Sequence, residues 1–242
     1  MEIHDVETHL PEIARAIADI LGDNFLGFYL VGSFVMGAWN PQTSDLDFLV
    51  VVQSPLNAVE DTALQNFHAA LARTELGGRL EGEYLDLANL RLKNFALRIG
   101  TVLDGIYHPG YPCQLSADNV LCLIQYGRCI LGRPVAQLGA EVTVQEFKQA
   151  AYEMLLEDQE EFATTTDFAA RAYLLIDILR CIYTLRTGQL PTKAGALVFN
   201  RDLLSKDLYE KLLSHQQGKL AQFPIPEDEV QQLLAYARSL AR

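Results

Sequence analysis

Two aspartates two residues apart, Asp45 and Asp47, stand immediately before the apolar run Phe48-Leu49-Val50-Val51-Val52. Side chains two apart share one face of a strand, so at the mouth of a buried strand the two carboxylates lie side by side. At ~4 Å and an effective dielectric near 20 they repel by ~4 kcal/mol, and something positive must offset that. Mg²⁺ is the natural partner, because it takes one or two carboxylates and completes its octahedron with phosphate oxygens and water. Upstream, Gly32-Ser33 interrupts the apolar stretch Phe25 to Val31 at a point where a short helix can start. A helix start directs N–H groups and a positive dipole end outward, and the serine hydroxyl adds a donor, a combination suited to phosphate.

A third acidic position comes from RLEGEYLDL, residues 79–87, an alternating run that reads as a strand beside the first two. Period two places Glu81, Glu83, Leu85 and Leu87 on one face. A carboxylate at the start of that strand lies next to Asp45 and Asp47. A hydroxyl attacking a phosphorus centre needs such a group to take its proton, or to serve as a further metal ligand.

The elements that must hold these residues follow from periodicity. A helix is expected from about Pro11, placed in its first turn, to Leu21, with Ile13, Ala16, Ile17, Ile20 and Leu21 at helical spacing. After the Asp45–Val52 strand, Ser54-Pro55 opens a long amphipathic helix with Leu56, Val59, Ala63, Leu64, Phe67 and Leu71 on one side, stopped by Gly77-Gly78. Residues 94–114 hold Gly100, Gly105, Pro109, Gly110 and Pro112, and that density of breakers marks a loop region. Ser116 caps a helix expected to reach about Leu131, closed by Gly132-Arg133-Pro134. A domain boundary falls near Gly139, giving 1–138 and 139–242, and everything beyond it is helical. Thr143-Val144-Gln145-Glu146 is a capping box. Helices follow from about Asp167 to Arg186, after Pro191, from Ser205 to Ser214, and from Pro226 onward. Asp177 falls on the apolar face of the first of these, where a buried carboxylate needs a partner; Arg180, Arg171 or a bound acceptor would each supply one.

Of the 242 residues half are apolar, enough for two modest cores. The formal net charge of −12 comes without any Lys/Arg run, which points away from nucleic acid as a partner and favours a cationic one. Cys113, Cys122, Cys129 and Cys181 form no CxxC pair, and the five histidines lack ligand spacing, so neither a disulfide scaffold nor zinc is expected. No run of eighteen apolar residues and no basic leader occurs, so the expectation is a cytoplasmic protein without a membrane span.

The order strand, Gly32-Ser33, short helix, Asp45-x-Asp47, apolar strand resembles the signature of the DNA polymerase β-like nucleotidyltransferase superfamily. LVGSFVMGAW, SDLDFLVVV, LEGEYLDL and CIYTLRTGQLPTKAGAL are similar to the aminoglycoside nucleotidyltransferases of the streptomycin/spectinomycin 3″/9-adenylyltransferase type. The resemblance implies a mixed α/β (α+β) nucleotidyltransferase domain followed by an all-α helical bundle. It further implies Mg²⁺-dependent transfer of AMP from ATP to a hydroxyl of a small, cationic, aminoglycoside-like acceptor, with release of pyrophosphate. By position, Asp45 and Asp47 inherit the metal-ligand role and Gly32 and Ser33 contact with the phosphates. Glu81 inherits that of general base, with Glu83 in reserve, and Lys193 reaches the triphosphate. Streptomycin-modifying members carry a tryptophan and an aspartate just before the helix containing Arg180. This chain has EEFATTTDFAAR there and a single tryptophan, Trp39, so the acceptor stays open, with Glu160, Glu161 and Asp167 as residues able to meet an amino sugar. Two other readings use the same fold: a nucleotidyltransferase that AMPylates a protein, as antitoxin-type members do, and a nucleotide-binding module without catalysis.

Overall fold

The computed structural model describes residues 3–240 apart from Thr43 and Ala221. The chain divides into two compact units, Met1–Glu141 and Val142–Arg242.

The first unit is built on a six-stranded mixed sheet of order β5-β4-β3-β2-β1-β6. Its strands are β1 (Phe25–Leu30), β2 (Leu46–Val52), β3 (Leu80–Asp86), β4 (Arg98–Leu103), β5 (Ile106–Pro112) and β6 (Arg128–Gly132). Only β2 and β3 run parallel, with the register Asp47↔Glu81 and Leu49↔Glu83. The other neighbours are antiparallel. The crossover between β2 and β3 is helix α3 (Ala58–Leu71), the long connection that parallel strands require. One face of the sheet, with Phe28, Leu30, Leu46, Phe48, Val50, Leu80, Tyr84 and Val102, packs into a single core with Val6, Leu10, Ile13 and Ile17 of α1 (Ile3–Leu21) and with Leu64 of α3. The opposite face carries Asp47, Glu81 and Glu83.

Several sequence expectations change here. Helix α1 starts eight residues before Pro11, which lies inside it, because Val6 and Leu10 continue the buried stripe of Ile13 and Ile17. Burial of that face outweighs the one backbone hydrogen bond a mid-helix proline removes. Helix α3 begins at Ala58 rather than at Ser54-Pro55, since Asn57 and Glu60 close a capping box. Val59 is therefore exposed, while His68 takes a fully buried position. The breaker-rich stretch at 94–114 is no loop: it forms the β4–β5 hairpin, turned at Asp104-Gly105 with φ of 49° and 75°. Positive φ at both central residues matches the twist of a two-residue hairpin. Its prolines and Gly110 sit on the edge strand β5, where a missing N–H is tolerated. The helix after Ser116 ends at Tyr126 (α5, Ala117–Tyr126), and Cys129 and Ile130 belong to strand β6 instead.

The second unit is helical: α6 (Val144–Thr164), α7 (Phe168–Thr187), α8 (Lys193–Phe199), α9 (Lys206–Gln216) and α10 (Glu227–Leu240). Thr143, Asp167, Thr192 and Ser205 each cap the helix that follows by accepting a backbone N–H. The most buried helix is α7, which shares a core with Leu155, Phe162, Leu197, Leu212 and Leu233. Among the described residues, no helix is long and apolar enough to cross a membrane.

Candidate active site

Strand β1 ends in a tight turn that starts the four-residue helix α2 (Gly32–Val35). Gly32 has φ +66°, a conformation open to glycine, and a Cβ at this position would collide with the Asp47 carboxylate oxygen. The N–H of Val31 donates to the Asp47 carbonyl at 3.0 Å, so the turn and the head of β2 are tied through the backbone. Absence of a side chain at residue 32 thus makes the space that Asp47 occupies.

Strand pairing begins at Leu46, one residue later than expected, so Asp45 precedes β2 and is exposed while Asp47 is half-buried within it. The carbonyl of Asp45 accepts from Trp39 Nε1 at 3.0 Å, and Trp39 packs edge-on against Phe34 of α2. The sole tryptophan therefore holds the segment that delivers Asp45.

Glu81 lies opposite Asp47 on the parallel neighbour. Burial raises its pKa above the usual carboxylate range, and the negative charges of Asp45, Asp47 and Asp104 raise it further, against a hydrogen bond from the Asp104 backbone that lowers it. Glu83, two residues on, shares that face as its period predicts but has a different environment. It is 3% exposed and accepts the Gln114 N–H at 2.5 Å, and it faces Thr101 Oγ1 at 3.5 Å. Its pKa is also raised by burial, against hydrogen bonds from Gln114, Thr101 and Leu115. Glu83 thus fastens the segment after β5 to the sheet, whereas Glu81 stays half-buried beside the aspartates.

The site has members that sequence reasoning missed. Asp104 acts on Glu81 through its charge and its backbone, and it arrives by the β4–β5 hairpin. The signal for it was Asp-Gly between the apolar runs Thr101-Val102-Leu103 and Ile106-Tyr107. Cys122 of α5 lies beneath the Gly32 turn and accepts the Gly32 N–H at 3.3 Å. No spacing rule would have paired those two residues, which are 90 positions apart.

In the helical unit Lys193 is the exposed first residue of α8, and its Nζ lies 4.0 Å from the centre of the Tyr173 ring. A cation at a helix N-terminus opposes the helix dipole, which the ring face partly offsets. Asp177 is a structural ion pair, with Arg180 Nη1 at 2.8 Å. Arg171 instead pairs with Glu227 at 2.6 Å and covers Phe162. Asp167 is occupied as the cap of α7, accepting the Ala170 N–H at 2.8 Å. Glu160 and Glu161 are exposed near the end of α6.

Among the described residues no group of three or more His, Cys, Asp or Glu side chains is placed to hold a metal ion. Two carboxylates with the remaining positions left to phosphate and water are the pattern Mg²⁺ uses, and the negative charge that Asp45 and Asp47 place beside Glu81 is of the sign that would attract a cation.

Residues 12–91 match the model of the nucleotidyltransferase domain family, a span that includes Gly32, Ser33, Asp45, Asp47, Glu81 and Glu83. The chain carries a nucleotidyltransferase domain. Around it, the whole chain has the fold of spectinomycin adenyltransferase AAD(9) from Enterococcus faecialis, solved with ATP and spectinomycin: 19% identity, 97% of this chain and 99% of that one covered, TM-score 0.66. A toxin–antitoxin structure with AMP-PNP matches 62% of this chain and 94% of its own at 15% identity, with a TM-score of 0.29. No curated protein matches the sequence. The nucleotidyltransferase domain and the α/β-plus-helical fold read from the sequence are both borne out.

Proposed function

We propose that the protein transfers AMP from ATP to a hydroxyl of a small cationic acceptor of the aminoglycoside class, releasing pyrophosphate. The observation that carries this reading is the register of Asp47 and Glu81 on adjacent parallel strands, with the Gly32 turn closed against the Asp47 carboxylate. Likeness in fold to an enzyme solved with ATP and spectinomycin supports the choice of nucleotide and acceptor class.

Asp45 and Asp47 would hold Mg²⁺, which when bound neutralises triphosphate charge and polarises the α-phosphoryl group. Ser33, through its amide and hydroxyl, and the Gly32 turn orient the phosphates; Lys193 is assigned to them on the family resemblance. Glu81 takes the acceptor's proton. A carboxylate whose pKa is raised by burial and like charge is a better base than a solvated one, provided the cation offsets enough charge to keep it ionised. The α-phosphorus–oxygen bond to the acceptor forms as the bond to pyrophosphate breaks in line, so positioning and charge stabilisation supply most of the acceleration. The excess of 31 acidic over 19 basic residues favours capture of a polyamine-like drug.

The test is pyrophosphate release from ATP and Mg²⁺ across a panel containing streptomycin, spectinomycin and other aminoglycosides, with Asp47→Ala as control. Release with one compound that disappears in the variant establishes reaction and acceptor together. Absence of release with every drug, or undiminished release from Asp47→Ala, refutes the reading.

A further inference from the structure

We infer that Cys122 is a positioning residue for the nucleotide site, acting through the Gly32 peptide. Gly32 is held from two sides: its N–H donates to Cys122 Sγ at 3.3 Å, and its Cα faces the Asp47 carboxylate so closely that no Cβ fits between them. A rotation of the peptide between residues 31 and 32 would release the thiol contact. The Val31 N–H, on the preceding peptide, donates to the Asp47 carbonyl, so the turn that the thiol holds is also the one tied to the head of β2. One buried sulfur therefore constrains both the phosphate-facing turn and the aspartate beside it.

The element behind this contact is firmly placed. Cys122 is 4% exposed, on the buried side of α5 with Val120, Leu121 and Leu123. Ser116 and Asn119 close a capping box at the start of that helix, and Glu83 holds the preceding segment through the Gln114 N–H. Because the Gly32 N–H is committed to sulfur, the donors this turn presents to a phosphate begin at Ser33. Burial without a reactive environment separates Cys122 from a nucleophile, since catalytic thiols sit in exposed, electropositive surroundings.

This inference rests on the proposed nucleotidyl transfer, and the experiment keeps the two apart. Binding of AMP-PNP with Mg²⁺ is measured by calorimetry for the wild-type protein, Cys122→Ala and Cys122→Ser. Loss of the acceptor leaves a buried N–H without its partner, so Cys122→Ala is expected to bind about tenfold more weakly. The Ser Oγ can still accept, and Cys122→Ser should stay within about threefold of wild type. An Ala variant that folds and binds as tightly as wild type, or more tightly, overturns the inference, as does a Ser variant as weak as Ala. A merely structural role would move the melting temperature of both variants without this split. If Cys122→Ala does not fold, hydrogen exchange of the Gly32 amide in the wild-type protein decides: protection is expected, and exchange at the rate of an open loop overturns the inference. Failure of the wild-type protein to bind Mg²⁺ and AMP-PNP while Gly32 is protected refutes the nucleotidyl reading instead.

Discussion

A single methyl group at Gly32 separates backbone strain from damage to the site. At φ +66° an alanine pays about 1–2 kcal/mol for the left-handed conformation. Gly37 has φ +69° and open space around its missing Cβ, so Gly37→Ala pays that same cost and nothing else. For a chain of this length the cost lowers the melting temperature by about 2–8 °C. Gly32→Ala must in addition move the Asp47 carboxylate out of the volume its Cβ takes, and displacement of a positioned group by about 1 Å costs on the order of 10²-fold in rate. The assay is pyrophosphate release at saturating ATP together with thermal unfolding of both variants. The expected result is a drop in melting temperature for Gly32→Ala at least as large as that for Gly37→Ala, and a turnover loss of about 10²-fold for Gly32→Ala alone. Equal turnover in the two alanine variants would refute the claim that residue 32 makes the space for Asp47.

Further outcomes follow from the same geometry. Glu81→Gln should lower turnover by about 10²-fold or more while nucleotide affinity stays within about threefold. Glu83→Gln keeps an oxygen for the Gln114 N–H and should leave turnover nearly unchanged; the opposite pattern in single-turnover kinetics would reassign the base. In the helical unit, burial and the charges of Asp177, Glu161 and Glu157, against Arg180, raise the Asp158 carboxyl to about 7. A raised folded-state pKa means stability present at pH 4 and lost as pH rises to 7. Asp158→Asn should therefore gain a few degrees in melting temperature at pH 8 and little at pH 5, and an equal shift at both values would contradict the assignment. Burial lowers His68 to about 4, and its Nε2 contacts the Tyr84 hydroxyl at 2.7 Å. That contribution has the opposite sign, present above pH 6.5 and lost on acidification toward 4. Thermal scans of His68→Gln should show a flatter acid limb than wild type; an unchanged limb would assign the acid sensitivity elsewhere.

Local chemistry made much of this legible in the chain. The Gly32-Ser33 break, the Asp45-x-Asp47 pair and the alternation of Leu80–Asp86 depend on neighbours within a few residues, where side-chain period and turn propensity act directly. The helix caps at Thr143, Asp167 and Ser205 are local in the same sense. Other features were in the sequence but outweighed there by a stronger-looking signal. Asp104-Gly105 is a hairpin turn, yet four further glycines and prolines around it suggested a loop, and only pairing across β3, β4 and β5 decides between the two. Pro11 suggested a helix start, and packing of Val6 and Leu10 against the sheet moved that start to Ile3.

What the sequence by itself determined is which candidate groups the chain carries and the order in which it presents them. Tertiary structure alone decided their surroundings. Glu81 and Glu83 have the same residue type, strand and face, so no pattern along the chain separates them. The environment does, since Glu83 is closed in by Thr101 and Gln114 while Glu81 shares its surroundings with Asp45, Asp47 and Asp104. The partnership of Cys122 with Gly32 belongs to the same class: a contact across 90 residues is set by how α5 packs against the sheet, and desolvation and through-space charge depend on that packing rather than on sequence distance.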